Sequence, residues 1–227
     1  MRDSLLLWDI DGTLAHSGGG GEQAVLLMIR ERYQRDLGDK LPVALQGRTD
    51  TSIARDVLNY LGVPITPEEE MRYREAYLAA LPKTLPKVNS YIFPGIREAL
   101  DAVHAHPEIH QGLLTGNLRE GARMKLSHLG IWHYFEFGAF ADDSHIRDEL
   151  GPFALRRAKE KLGIDFPPER VFIIGDTPHD IACGKAIGAK TIAVATGNFS
   201  IEQLAALNPT HVFKDLSDTQ ALLKVIL

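Results

Sequence analysis

An apolar run, Leu5-Leu6-Leu7-Trp8, stops abruptly at Asp9-Ile10-Asp11-Gly12-Thr13-Leu14, and no other stretch restricts the fold of this chain as much. An unbroken apolar run of this length suits a central parallel strand, buried on both faces, better than a half-exposed one. Side chains at i and i+2 of a strand share a face, so Asp9 and Asp11 converge unless the chain has already begun to turn. Gly12 and Thr13 predict that the turn starts at once. Two nearby carboxylates repel and call for a cation, and oxygen-only ligands with water suit Mg2+. A solvated turn at a polar strand end is the plainer reading of these residues, and the rest of the chain decides between the two.

The downstream pattern extends the argument. After Pro94 the sequence alternates between helices and strands: helix Ile96 to Val103, strand Gln111 to Leu114, helix Arg119 to Leu129, and a weaker strand around Phe135-Glu136-Phe137. Helix Pro152 to Leu162, strand Val171 to Ile174, helix Ile181 to Ile187 and strand Thr191 to Val194 follow. A helix near Ser200 to Leu207, a short strand at His211-Val212-Phe213 and a C-terminal helix complete the chain. Such alternation predicts an α/β fold, a Rossmann-like parallel sheet with helices on both faces. The region between the first strand and Pro94 is different. Ser17-Gly18-Gly19-Gly20-Gly21 reads as a flexible hinge, followed by helices from Glu22 to about Leu37, Thr51 to Leu61, and Glu68 to about Leu81, where Pro82 ends the last one. The expected organisation is therefore a catalytic core of residues 1–14 and 93–227 with an inserted helical cap of residues 15–92.

Composition sets limits on function. A net charge of −5 argues against nucleic acid or an acidic membrane as partner. The single cysteine, Cys183, forms no internal disulfide and reads as a small buried residue of a reducing compartment. No signal peptide and no membrane-length apolar window is visible, so a cytoplasmic location is expected.

In open parallel sheets, ligands bind beyond the carboxyl ends of the strands. Here those ends carry Asp9 and Asp11, then Thr115-Gly116-Asn117, Gly175-Asp176-Thr177-Pro178-His179-Asp180, and Ala195-Thr196-Gly197-Asn198. Each alone is an ordinary strand-to-helix turn; together on one rim they describe a site. At these residues the chain resembles the haloacid dehalogenase superfamily phosphatases, the branch that includes phosphoglycolate phosphatases. Asp9-Ile10-Asp11-Gly12-Thr13 matches that family's first motif, Leu113-Leu114-Thr115 its second, and Gly175-Asp176 with Asp180 its fourth, in the same order and at similar spacing across essentially the whole chain.

The resemblance implies roles. Asp9 is the nucleophile that forms an aspartyl-phosphate, and Asp11 is the acid and base. Thr115 hydrogen-bonds a phosphate oxygen, with Gly12, Thr13, Gly116 and Asn117 around the same group. Asp9, the carbonyl of Asp11, and Asp176 hold Mg2+, with Asp180 as a further ligand or as the partner of a basic residue. The third motif departs from the family's usual lysine: its position falls on Glu149, and Arg147 is the nearest replacement, with Lys125 and Lys159, both of which read as solvated helix residues, behind it. Arg48, in Gly47-Arg48-Thr49-Asp50, is either a surface turn residue or a cap cation facing substrate; His16 and His179 read as solvated loop residues.

The implied activity is Mg2+-dependent hydrolysis of a small phosphorylated metabolite such as phosphoglycolate. A sugar-phosphate mutase would need cap residues that hold a bisphosphate while it reorients, and none is identifiable. Dehalogenase and phosphonate hydrolase chemistry does not need the acid that Asp11 supplies. A weakly active binding or regulatory member stays open because of the missing lysine, and the oligomeric state is not legible.

Overall fold

The computed structural model describes residues 3–227. Strand β1 (Ser4–Trp8) leads through a tight loop to the two-residue strand β2 (Ala15–His16). Helices α1 (Gly20–Tyr33), α2 (Asp50–Leu61) and α3 (Pro67–Thr84) follow, and β3 (Tyr91–Ile92) returns antiparallel to β2. The remaining chain runs α4 (Ile96–Ala105), β4 (Ile109–Leu114), α5 (Arg119–His128), β5 (Gly138–Ala139), α6 (Leu150–Leu162) and β6 (Val171–Gly175). It ends with α7 (Pro178–Ala186), β7 (Lys190–Val194), α8 (Ile201–Ala205), β8 (His211–Phe213) and α9 (Thr219–Ile226).

Six strands form one parallel sheet in the order β5-β4-β1-β6-β7-β8. β1 is central and fully buried, as its apolar run requires. Leu6 and Trp8 point into one core with Leu100 and Val103 of α4, Leu126 of α5 and Ile226 of α9. Leu5 and Leu7 point into the other with Leu150 and Ala154 of α6 and Cys183 of α7. The chain leaves β1 for β4 and β5 on one side and then crosses to β6, β7 and β8 on the other. That reversal opens a crevice at the carboxyl end of β1, the place where such sheets bind ligands.

Helices α1–α3 form a separate apolar cluster that also takes in Leu118 and Ala141 from loops at the sheet's rim. Their docking is specific. The backbone N–H of Asp50 donates to the Gly116 carbonyl at 2.6 Å, and the Asp50 carboxylate accepts from the Leu118 N–H at 2.8 Å. The helical layer is thereby hydrogen-bonded to the loop that leaves β4. Among the described residues no helix is long and apolar enough to cross a membrane.

Several boundaries differ from the sequence-based expectation. The glycine run is not all linker: Gly18 and Gly19 take positive φ (62° and 79°), and Gly20 and Gly21 already belong to α1. α1 stops at Tyr33 rather than Leu37, because Gln34 turns left-handed (φ 53°). α3 does not end at Leu81 but carries Pro82 within its last turns to Thr84, whose hydroxyl donates to the Gly20 carbonyl at 2.8 Å. Burial of Ala80, Leu81 and Leu85 against α1 outweighs the amide bond that proline removes. The weak strand lies at Gly138–Ala139 and not Phe135–Phe137: Phe135 is committed to the core and Glu136 pairs with Lys161 at the surface. The β2–β3 ribbon had no strand signal at all.

Because Leu7 is fully buried in β1, Leu7→Ala is expected to cost ~2–5 kcal/mol of stability by denaturant titration. A loss within experimental error would mean that β1 is not the core strand described.

Candidate functional site

The loop after β1 sends its two aspartates apart. Asp9 continues the strand by one residue, its N–H donating to the Ile174 carbonyl of β6 at 2.9 Å. The chain then turns, with Gly12 at φ 92° and its N–H donating to the Ala15 carbonyl at 2.9 Å. Asp9 faces the exit of β6 and Asp11 faces the exit of β4, so the convergence expected of a straight strand does not occur.

On the β6 side, oxygens of Asp9, Asp176 and Asp180 all lie within 4.8 Å of one another, and all three residues are buried. Asp180 stands in the first turn of α7, where its Oδ2 accepts from the Thr177 N–H (3.0 Å) and hydroxyl (2.7 Å). Thr13 donates to Asp176 Oδ1 at 3.2 Å, and Thr196 donates to the Gly12 carbonyl at 2.6 Å. Gly12 is required twice over: it needs the positive φ, and any Cβ there would collide with the Asp176 carboxylate.

On the β4 side, the buried Thr115 hydroxyl accepts from Asn117 Nδ2 at 2.9 Å. The same Nδ2 donates to Asp11 Oδ2 at 2.8 Å. Gly116 lies under the helical layer, close to the backbone of Arg48 and to an Arg147 nitrogen, with no room for a side chain.

Two buried cations serve these two groups. Arg147, in a short helical turn before α6, extends its Nη2 to Asp9 Oδ1 (3.1 Å) and Asp180 Oδ1 (2.5 Å). The second corrects the sequence reading. Lys125 is not a solvated helix residue: it is 7% exposed, and its Nζ contacts Asp11 Oδ2 at 2.7 Å and Asn117 Oδ1 at 2.6 Å. The signal was available, since Gly121, Ala122, Lys125 and Leu126 share the buried stripe of α5. Lys159 is at the surface, paired with Asp165. Arg48 forms an ion pair with Asp56 of α2. His16 is exposed and stacks on Tyr91, and His179 is exposed as well. Asp50 was missed: it is half-buried at the start of α2 beside the cavity.

The environments drive the carboxylates in opposite directions. Burial, with Asp180 and Asp11 adding repulsion against the pull of Arg147, raises Asp9 to about 6. Burial and the neighbouring Asp180 and Asp9 raise Asp176 to about 8. For Asp11 burial also pushes upward, yet the Lys125 ammonium and hydrogen bonds from Lys125, Asn117 and Ser17 hold it below the ordinary value. These groups line a cavity of about 330 Å³ between the sheet and the helical layer, with Arg48 and Tyr77 also in its lining.

The donor set fits a divalent cation. Three buried carboxylates stand beside one guanidinium, which pairs with Asp9 and Asp180, and among the described residues no cation forms an ion pair with Asp176. A hard divalent cation with oxygen ligands balances that charge. The consequence for stability has a definite sign. Carboxylates raised from 3.8 to about 6 and about 8 favour the folded protein at low pH and lose that contribution as pH climbs through those values. Stabilisation by added Mg2+, read as the shift in thermal midpoint, is therefore expected to grow from about pH 5 to about pH 8, as protons stop competing for the ligands. A shift independent of pH would mean that Asp9 and Asp176 do not bind the ion.

Comparison with known proteins agrees with this geometry. A family model for haloacid dehalogenase-like hydrolases matches residues 6–185. A probable phosphatase, IndB, of Dickeya dadantii is 26% identical over 97% of this chain and 95% of its own. The phosphoglycolate phosphatase of Rhodospirillum rubrum is 24% identical over 93% of this chain and 87% of its own. Among solved structures, a predicted phosphoglycolate phosphatase from Haemophilus somnus superposes with a TM-score of 0.71 at 18% identity, covering 98% of this chain and 99% of that one. With its matched segment spanning β1 to α7 and all three strand exits of the site, the chain belongs to the haloacid dehalogenase-like hydrolases.

Proposed function

We propose that this protein is a phosphatase that passes the phosphoryl group of a small phosphate monoester to Asp9 and then to water. The observation that carries the reading is the division of labour at the β1 exit: Asp9 sits in a metal-ready carboxylate cluster, while Asp11, two residues on, faces a separate set of donors across the same cavity.

Arg147 holds Asp9 by Oδ1 and fixes the carboxylate for attack on phosphorus. The Thr115 hydroxyl and the backbone around Gly116 and Asn117, with Gly12 and Thr13 opposite, form the cradle for the phosphate oxygens. Mg2+, held by Asp9, Asp176 and the Asp11 carbonyl with Asp180 beside them, would supply the positive charge that lets a carboxylate approach a phosphate dianion. As the Asp9 oxygen–phosphorus bond forms, the bond to the substrate oxygen breaks, and that oxygen takes a proton from Asp11. Water then attacks the phosphorus of the aspartyl-phosphate, gives its proton to Asp11, and releases inorganic phosphate and the Asp9 carboxylate.

The cavity suits a small metabolite, and phosphoglycolate is the first candidate. The likeness to phosphoglycolate phosphatases supports it. Arg48, which also lines the cavity, is the proposed partner for a carboxylate on the rest of the substrate, exchanging Asp56 for it.

Two results test the reading. Asp9→Asn is expected to reduce hydrolysis of p-nitrophenyl phosphate to background, and chelation is expected to stop the parent enzyme until Mg2+ is restored. Activity above a few percent in the variant, or full activity after exhaustive chelation, would contradict the mechanism. Separately, Arg147→Ala is expected to cost on the order of 10²-fold in kcat/KM, in line with loss of a positioned charge, and Arg147→Lys to recover part of it. Equal rates for parent and Arg147→Ala would remove Arg147 from the site's chemistry.

A further inference from the structure

Lys125 has no counterpart among the roles assigned above, yet it is the most completely committed cation near Asp11. Its ammonium donates to Asp11 Oδ2 at 2.7 Å and to Asn117 Oδ1 at 2.6 Å, and Asn117 Nδ2 returns to the same Asp11 Oδ2 at 2.8 Å. The three side chains close a ring of hydrogen bonds. An ammonium only donates, so the amide must turn its oxygen to Lys125 and its nitrogen to Asp11. The Thr115 hydroxyl, accepting from Asn117 Nδ2 at 2.9 Å, ties the ring to the phosphate cradle.

The ring treats the two oxygens of Asp11 unequally. Oδ2 accepts from both Lys125 and Asn117. Oδ1 is shielded from solvent and makes no direct hydrogen bond of ordinary geometry among the described residues, with the Ser17 hydroxyl beside the carboxylate. A carboxylate on a short side chain rotates readily about its last bond, because that torsion is broad. Two donors on one oxygen stop the rotation and fix the plane of the carboxylate. The α1 end of the helical layer closes over the ammonium: a Cβ on Gly21 would rest 3.6 Å from Nζ. Burying an ammonium carries a desolvation cost that an apolar side chain of the same length would avoid. Structural filling alone does not account for lysine here.

We propose that Lys125 is a positioning residue which, with Asn117, clamps Asp11 by Oδ2 and so holds its carboxylate in one orientation for proton transfer to the leaving-group oxygen of the substrate. The proposal rests on the reading of Asp11 as the proton carrier. It makes the protonation of the leaving group, and not the attack by Asp9, the step that depends on Lys125.

The test is the dependence of kcat/KM on the leaving group in Mg2+-loaded protein. The substrates run from dinitrophenyl phosphate, whose phenolate departs without a proton, to an unactivated alkyl phosphate, whose alkoxide needs one. Lys125→Met is expected to lose on the order of 10²-fold with the alkyl ester and to stay within a few-fold of the parent with the dinitrophenyl ester. Asp11→Asn is expected to show the same pattern more strongly, and Lys125→Arg to recover part of the alkyl-ester rate. If Lys125→Met does not fold, Lys125→Gln, which removes the ammonium but keeps a polar side chain there, carries the same expectation at smaller size. Equal losses on both esters, or no loss on either, would overturn the proposal. If Asp11→Asn shows the leaving-group pattern and the lysine variants do not, the clamp alone is wrong. If Asp11→Asn lacks the pattern, the proton-carrier reading falls and the clamp falls with it.

Discussion

The Arg147 guanidinium is the interaction on which the rest of this site depends. Asp9 follows the central strand, Asp180 begins α7, and both are almost fully buried, as is the arginine between them. Paired and hydrogen-bonded, such a group of charges is tolerated. With one partner removed, it leaves an uncompensated buried charge, at a cost of about 3–5 kcal/mol. One side chain from the turn before α6 thereby fixes the relative positions of the β1 and β6 exits. The fork of an arginine suits that task, since it reaches two carboxylates from one nitrogen where Thr177 already occupies the other oxygen of Asp180.

From that anchor the chemistry divides. Asp9 and Asp11 are separated by one residue, yet the turn at Gly12 delivers them to opposite environments. The first shares a guanidinium with Asp180 and packs beside Asp176, and burial lifts it. The second is held by an ammonium and an amide, and these bring it down despite burial. The two carboxylates thus meet opposite environments at one strand exit. The helical layer completes the arrangement by hydrogen-bonding Asp50 to the Gly116 loop, so the cavity wall and the loop proposed to cradle phosphate are parts of one network.

Much of this was legible in the sequence because it depends on local rules. The apolar run of β1, the polar residues at each strand exit and the alternation after Pro94 are consequences of burial and chain reversal, and they specified the sheet and its rim. Arg147 was reachable by counting back from α6. What was not legible depended on tertiary contacts. Pro82 reads as a helix stop, and only packing against α1 carries the helix past it. Lys125 reads as a surface cation until its place on the buried stripe of α5 is set against Asn117 and Asp11, which lie on other elements. Arg48 reads as either a surface turn residue or a cap cation, and its pairing with Asp56, eight residues on in α2, is a contact that the turn motif does not reveal.

The most direct test of the account is chemical trapping of Asp9 during turnover. An aspartyl-phosphate is an acyl phosphate, which borohydride reduces to homoserine, whereas a free carboxylate is untouched. Peptide mass spectrometry after quenching the Mg2+-loaded enzyme with borohydride, in the presence of a phosphate ester that it hydrolyses, should find homoserine at position 9 and an unmodified Asp11. Steady release of phosphate with no modification at position 9, or modification at a different aspartate, would contradict the covalent mechanism.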